Sequence, residues 1–118
     1  MGQHHVVGDA NEIAPGERRI VTIGRRSIGV FNIGGQYYAL SNVCPHAGGP
    51  LCLGDLTGTT QAKEQHYEVE WIREGEIIRC PWHAWEIDIK TGRTLAGPET
   101  RVRTYKVSID AGKIVLEV

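Results

Sequence analysis

The chain has 118 residues, a formal net charge of −1 and 41% hydrophobic residues, as expected of one globular domain. The near-neutral charge and the absence of a basic tract argue against a nucleic-acid partner, because phosphate binding requires a positive surface. No apolar run approaches the roughly 20 residues of a membrane span and no secretory signal is present, so we expect a cytoplasmic protein with no membrane partner.

Short β-strands are predicted along the whole chain. β-branched residues and apolar–polar alternation mark the strands, and glycine-rich turns separate them. Gly34-Gly35 is a two-residue hairpin signal. His4 and His5 have no partner spacing that indicates a site, so we expect a solvated chain end there. The predicted strands are 19–23, 27–33, 36–40, 66–72, 75–79, 85–89, 102–109 and 113–118. This pattern predicts an all-β fold, a small sandwich or barrel.

Two of the predicted loops each carry a cysteine and a histidine. They read Cys44-Pro45-His46 and Cys80-Pro81-Trp82-His83. Mixed sulfur and nitrogen ligation is what an iron–sulfur cluster needs when cysteines hold one iron and histidines hold the other, and it indicates one-electron transfer. Three cysteines do not suit a disulfide framework. Two cysteines and two histidines could also hold structural zinc, which would make the chain an interaction module.

These motifs resemble those of the Rieske [2Fe–2S] proteins, which have Cys-x-His-x-Gly in one loop and Cys-Pro-x-His-Gly in the other, often followed by Asp and Thr-Gly. The matching residues are Cys44, His46, Gly48, Cys80, Pro81, His83, Asp88, Thr91 and Gly92. The resemblance implies that Cys44 and Cys80 bind the inner iron of one [2Fe–2S] cluster per chain. It also implies that His46 and His83 bind the outer iron.

The same resemblance implies the fold and the domain organisation. We expect three antiparallel sheets, with a small cluster-binding subdomain inserted in a β base. Residues 1–118 would form a single Rieske domain whose cluster-binding part spans about 42–92. The segment between the two loops is longer than is usual in the family. We expect its extra residues, 59–74, to form a surface hairpin extension.

Several positions depart from the family pattern. Ala84 stands where the family has glycine. High-potential members have a loop disulfide and a Ser and a Tyr that donate hydrogen bonds to the cluster sulfurs; here those positions hold Trp82, Trp85 and Ile87. Loss of such donors destabilises the reduced cluster. We therefore predict a potential in the lower part of the Rieske range of roughly −150 to +300 mV.

The resemblance to low-potential members implies an electron carrier with no catalytic residue. It would be the ferredoxin component of an oxygenase-type system, taking electrons from a flavoprotein reductase and passing them to an oxygenase or another oxidoreductase. The alternative is a small Rieske subunit of a larger oxidoreductase, such as a nitrite reductase, or the Rieske portion of an oxygenase.

Two features near the motifs have open interpretations. We expect Cys52 to be a small buried apolar residue, and the alternative is an exposed thiol near the cluster. Trp82 and Trp85 could shield the cluster from water. They could also form an apolar docking patch with neighbouring residues, namely Pro45, Pro50 and Leu51.

Overall fold

The computed structural model describes residues 3–44, 48–62, 69–81, 85–95 and 100–118, with the backbone alone described at 59–62 and 69–71. Within these residues the chain is all-β, with two single-turn 3-10 helices at Ala10–Glu12 and Leu51–Leu53. The strands are β1 His4–Asp9, β2 Arg18–Ile23, β3 Arg26–Ile33, β4 Gln36–Ser41, β5 Asp55–Ala62, β6 Val69–Arg79, β7 Glu86–Asp88, β8 Thr104–Asp110 and β9 Lys113–Glu117. No helix in the described ranges is long and apolar enough to cross a bilayer.

Antiparallel pairing joins the strands into a large and a small sheet. The large sheet has the order β1-β9-β8-β4-β3-β2, and the small one has the order β5-β6-β7. A short ladder, Ala39 to Tyr105 and Leu40 to Thr104, joins the two three-stranded halves of the large sheet. The strands of the small sheet come from the segment between β4 and β8. This arrangement of three strand groups confirms the expected β base with an inserted subdomain.

Hairpin turns fix the register of the base as the sequence predicts. Gly34 and Gly35 connect β3 to β4 with φ angles of 61° and 93°, a conformation that glycine adopts at no steric cost. The N–H of Gly35 donates to Oδ1 of Asn32 at 2.9 Å, which closes the turn. The β8–β9 turn uses Ala111 and Gly112, also at positive φ. These tight turns place consecutive strands side by side.

Two apolar clusters fill the interior, and β3 contributes to both. Alternate residues of a strand face opposite sides, so Ile28 and Val30 face one cluster while Phe31 faces the other. The base cluster contains Ile13, Ile28, Val30, Ala39, Ile114 and Leu116. The second cluster, here called the loop cluster, contains Phe31, Leu40, Cys44, Leu51, Cys52, Ile78, Cys80, Ile87, Ile89 and Val102. The loop cluster therefore anchors both cysteine-bearing loops.

The expected hairpin extension is confirmed by the pairing of β5 with β6. Thr59 pairs with Ile72, and the ladder continues to Ala62 opposite Val69. The register shifts between Thr57 and Thr59, so residues 73–76 of β6 form a bulge. The segments predicted as separate strands, 66–72 and 75–79, are therefore joined in one strand from Val69. Residues 63–68, which connect the two strands in sequence, lie outside the described residues.

Two strands were not predicted from the sequence. β1 contains His4 and His5 and pairs with β9, so this chain end is an edge strand; His4 is exposed there, as expected of a solvated end. Nε2 of His4 lies 3.8 Å from Oε2 of Glu117 on that neighbouring strand. β5 has a glycine at its centre and little apolar alternation, so its extended form depends on pairing with β6.

Candidate metal centre

The first loop begins after β4 and folds back on itself around Cys44. The Cys44 N–H donates to the Gly49 carbonyl, and the Gly48 N–H donates to the Cys44 carbonyl, both at 2.8 Å. Gly48 has a φ of 73°, which favours glycine at this turn. The side chain of Cys44 is only 1% exposed and belongs to the loop cluster. His46 lies outside the described residues.

Asn42 and Cys52 attach this loop to the base. Oδ1 of Asn42 accepts the Cys52 N–H at 2.7 Å, and its Nδ2 donates to Oγ of Ser27 at 3.1 Å. Cys52 is fully buried, and a methyl group at Gly29 would lie 2.5 Å from its Sγ. Burial raises the pKa of the Cys52 thiol to about 12. Cys52 is thus the expected small buried residue, and the exposed-thiol alternative is wrong.

The second loop follows β6 and presents Cys80 to the same apolar cluster. The Cys80 N–H donates to the Trp85 carbonyl at 2.9 Å, which joins the two described ends of this loop. Cys80 is 1% exposed, as Cys44 is. The candidate ligand His83, together with Trp82 and Ala84, lies outside the described residues.

A tight turn after β7 contains the other residues that match the family pattern. Oδ1 of Asp88 accepts the Lys90 N–H at 3.0 Å, and its Oδ2 accepts the Thr91 hydroxyl at 3.1 Å. The N–H of Gly92 donates to the Asp88 carbonyl at 2.7 Å, at a φ of 76°. A methyl group on Gly92 would collide with the Val102 carbonyl. Asp88, Thr91 and Gly92 therefore shape the chain that returns from the second loop to the base.

The two loops meet at Gly54, the residue that ends the first loop. A methyl group at Gly54 would collide with the carbonyl of Arg79, which immediately precedes Cys80. The next pair along, Asp55 with Arg79, begins the β5–β6 ladder. This close backbone approach holds the end of one loop against the start of the other.

Ion pairs connect the bulge of β6 to the turn after β7. Nη2 of Arg73 lies 2.7 Å from Oδ1 of Asp88, and Nε of Arg73 lies 3.3 Å from Oε1 of Glu76. Nζ of Lys90 lies 3.1 Å from the same Glu76 oxygen. The hydrogen bond from Lys90 lowers the pKa of Glu76, although partial burial acts in the opposite direction. Sequence reasoning missed this network because its charges are not at a regular spacing.

The proposed docking patch is only partly compatible with the structure. Leu51 is fully buried in the loop cluster, so its assignment to an exposed patch is wrong. Trp85 is half-buried and packs against the same cluster. Val43 and Leu53, which sequence reasoning did not single out, are 50% and 59% exposed. Each lies next to a buried cysteine, so exposed apolar surface does flank the first loop.

The described part of the site suits a cluster that is held by sulfur on its inner side. Cys44 and Cys80 come from different loops and share one apolar cluster from which water is excluded. Across the described ranges, no three His, Cys, Asp or Glu side chains converge as a metal site; the candidate histidines lie outside those ranges. Two buried thiol groups in one cluster are the donors that iron in a [2Fe–2S] centre prefers.

Comparisons with known proteins agree with this chemistry. The ferredoxin component of the naphthalene 1,2-dioxygenase system of Pseudomonas aeruginosa is 28% identical over 108 residues, covering 91% of this chain and 88% of that protein. A human Rieske domain-containing protein is 33% identical over 89 residues, which are 75% of this chain and 48% of that protein. The solved ferredoxin of carbazole 1,9a-dioxygenase from Nocardioides aromaticivorans IC177 has a TM-score of 0.74 and 27% identity, covering 97% of this chain and 96% of its own.

The family model for the Rieske [2Fe-2S] domain matches residues 3–106, a span that includes both loops and strands β1 to β7. Because this match covers most of the chain, the protein belongs to the Rieske [2Fe–2S] domain family, and its cofactor is a Rieske-type [2Fe–2S] cluster.

Proposed function

We propose that this protein is a one-electron carrier, the ferredoxin component of an oxygenase-type system, without catalytic residues of its own. The observation that carries the proposal is the pair of buried cysteines, Cys44 and Cys80, that two loops bring into one apolar cluster. The similarity to ferredoxins over 88% and 96% of their own lengths supports the carrier role. No observation favours the alternative of a small subunit of a nitrite reductase.

The proposed ligands are Cys44 and Cys80 for the inner iron and His46 and His83 for the outer iron. The near-complete burial of both cysteines supports the first half of this assignment. The bound cluster supplies the redox chemistry, since it accepts and releases one electron. The chain contributes the ligands, the exclusion of water by the loop cluster, and the loop geometry that Gly54 and Asp88 maintain.

A low reduction potential is part of the proposal. Ile87 is fully buried in the loop cluster and has no hydroxyl group that could donate a hydrogen bond to a cluster sulfur. Fewer donors leave the extra negative charge of the reduced cluster less stabilised. A redox titration should therefore give a midpoint in the lower part of the Rieske range. A midpoint near +300 mV would contradict this argument.

The proposed electron donor is a flavoprotein reductase, and the proposed acceptor is an oxygenase. Exposed Val43 and Leu53 beside the first loop support a transient complex at this end of the molecule, because small apolar patches suit short-lived contacts. A reducing compartment such as the cytoplasm would keep Cys44 and Cys80 available as thiolates.

The ligand assignment is tested by metal and sulfide analysis together with four single variants. We expect red-brown protein with iron and acid-labile sulfide, whose Rieske electron paramagnetic resonance spectrum is lost in Cys44→Ser, His46→Ala, Cys80→Ser and His83→Ala. His66→Ala and Cys52→Ala are the matched controls and should retain the spectrum. A colourless zinc protein, or a His46→Ala variant with an unchanged spectrum, would overturn the assignment.

The carrier role is tested by rapid mixing. Reduced protein mixed with an aromatic-ring dioxygenase should be reoxidised, and oxidised protein mixed with a flavoprotein reductase and NADH should be reduced. Turnover of nitrite or of an aromatic substrate by the isolated protein would contradict a carrier without catalysis.

A further inference from the structure

Arg18 makes a long-range contact with the junction of the two loops. It lies at the start of β2, and its Nη1 donates a hydrogen bond to the Gly54 carbonyl, 36 positions away in sequence. The Gly54 N–H donates to the Leu51 carbonyl at 3.0 Å, and Gly54 packs against the Arg79 carbonyl. Arg18 therefore holds, from the base, the point at which the first loop touches the residue before Cys80.

The alternation of β2 directs Arg18 toward the loop cluster. Ile20, two positions along, packs against the loop cluster, whereas Val21 packs against the base cluster. Arg19 belongs to the opposite face, where its Nη1 lies 2.7 Å from Oε2 of Glu12. Two adjacent arginines thus have different surroundings, and Arg18 alone contacts the metal-binding loops.

Arg18 forms no ion pair with a carboxylate of the described residues, although it is half-buried. Its field reaches the interior of the first loop: burial raises the pKa of Cys52 to about 12, and the Arg18 charge acts against that rise. A half-buried cation without an ion pair among the described residues therefore lies against the loop that contains Cys44.

We propose that Arg18 raises the reduction potential of the cluster by adding positive charge beside the first loop, where its hydrogen bond to the Gly54 carbonyl holds the guanidinium in place. Reduction transfers one electron from the flavoprotein donor to the oxidised cluster, so the cluster gains one negative charge and no bond is broken. A nearby cation stabilises the reduced form more than the oxidised form. This inference rests on the proposed function, because it requires a cluster held by the two loops.

The test compares Arg18→Gln, Arg18→Lys and the matched control Arg19→Gln as cluster-loaded proteins. Arg18→Gln removes the charge but retains a side-chain donor. At a fixed applied potential, the ratio of reduced to oxidised cluster in this variant should fall by about three- to tenfold. A tenfold fall in this ratio corresponds to a midpoint that is lower by about 59 mV. Arg18→Lys should stay within about twofold of wild type because the positive charge beside the first loop is kept. Arg19→Gln should leave the ratio unchanged, since that arginine faces the other side of β2.

Separate readouts distinguish this role from a purely structural one. Loss of the Gly54 contact alone would lower the melting temperature and accelerate cluster loss without moving the midpoint. Equal midpoints in wild type and Arg18→Gln, or equal shifts in Arg18→Gln and Arg19→Gln, would overturn the proposal.

If Arg18→Gln does not hold the cluster, Arg18→Lys is used to test the charge effect. A fall of more than threefold in the ratio of reduced to oxidised cluster in Arg18→Lys would exclude that effect, because this variant keeps the charge. A wild-type spectrum with a midpoint that is insensitive to Arg18 refutes this inference and leaves the proposed function intact. A colourless wild-type protein refutes both.

Discussion

Replacing Gly54 by alanine should destabilise the protein at the junction of its two loops. Gly54 has φ −72° and ψ 175°, an extended conformation that any residue adopts, so backbone strain adds nothing to the cost. The added methyl group would collide with the Arg79 carbonyl and lie 3.2 Å from the Leu51 carbonyl. Both neighbours are backbone atoms, so no change of rotamer relieves the collision.

The expected cost is about 3 kcal/mol. Inserting a methyl group into a packed interior costs about 1–3 kcal/mol, and we take about 2 kcal/mol for this site. Movement of Gly54 also weakens its hydrogen bond from Arg18, a charged donor whose bond contributes about 1.5 kcal/mol or more. At about 4 °C per kcal/mol for a domain of this size, the melting temperature should fall by about 12 °C.

The assay combines thermal melting by circular dichroism with loss of visible absorbance in excess chelator at fixed temperature. Cluster loss should be at least about tenfold faster in Gly54→Ala, because 1.4 kcal/mol of easier loop opening is a factor of ten. Gly75→Ala is the matched control: it has a φ of 81°, and among the described residues no atom beyond its chain neighbours lies within 4 Å of the added methyl group, so it should cost only about 1–2 kcal/mol. If Gly54→Ala is no less stable than Gly75→Ala, the collision argument is refuted.

Three further variants test other contacts. Burial raises the pKa of Cys52 from 9.0 to about 12, so the free energy of unfolding should fall by about 1.4 kcal/mol per pH unit above pH 9. This decline should be shallower in Cys52→Ala. If the stability of the two proteins falls equally from pH 8.5 to 10.5, the reasoning is contradicted. The lowered pKa of Glu76 stabilises the fold above its ordinary pKa of 4.5, and this contribution disappears as pH falls. Wild type and Glu76→Gln should therefore converge in acid denaturation, whereas a constant difference from pH 7 to pH 3 would show that the carboxylate contributes nothing. Asn42→Ala should cost about 1–3 kcal/mol in urea unfolding, since the Cys52 N–H loses its acceptor, and a loss below 0.5 kcal/mol would argue for replacement of that bond by water.

The base of the fold could be predicted from the sequence because its signals are local. The segments predicted at 19–23, 27–33 and 36–40 agree with β2, β3 and β4 to within one residue at each end. The bounds of these strands could be predicted because their apolar residues mark the strands and the Gly34-Gly35 turn marks where β3 ends and β4 begins. β5 could not be predicted, because its extended form depends on the β6 backbone rather than on its own side chains.

The site was predictable only where a motif marked it. The two motifs predicted that Cys44 and Cys80 belong to one site, and both residues are buried in one apolar cluster. The contacts of Arg18 with Gly54 and of Arg73 with Asp88 span 36 and 15 positions, and such distances leave no periodic signal in a single sequence. The interpretation that includes Leu51 in an exposed docking patch is wrong, because a leucine in a glycine- and proline-rich loop gives no indication of which face it occupies.

The bulge at residues 73–76 separates two parts of the β5–β6 ladder. On one side of the bulge, Thr57 pairs with Ile77, and the ladder runs from there to the pair of Asp55 with Arg79, the residue before Cys80. On the other side, a separate ladder begins where Thr59 pairs with Ile72. Because the four bulged residues absorb the change in register, the length of the hairpin beyond the bulge can change without altering the backbone pairs that lead to Cys80.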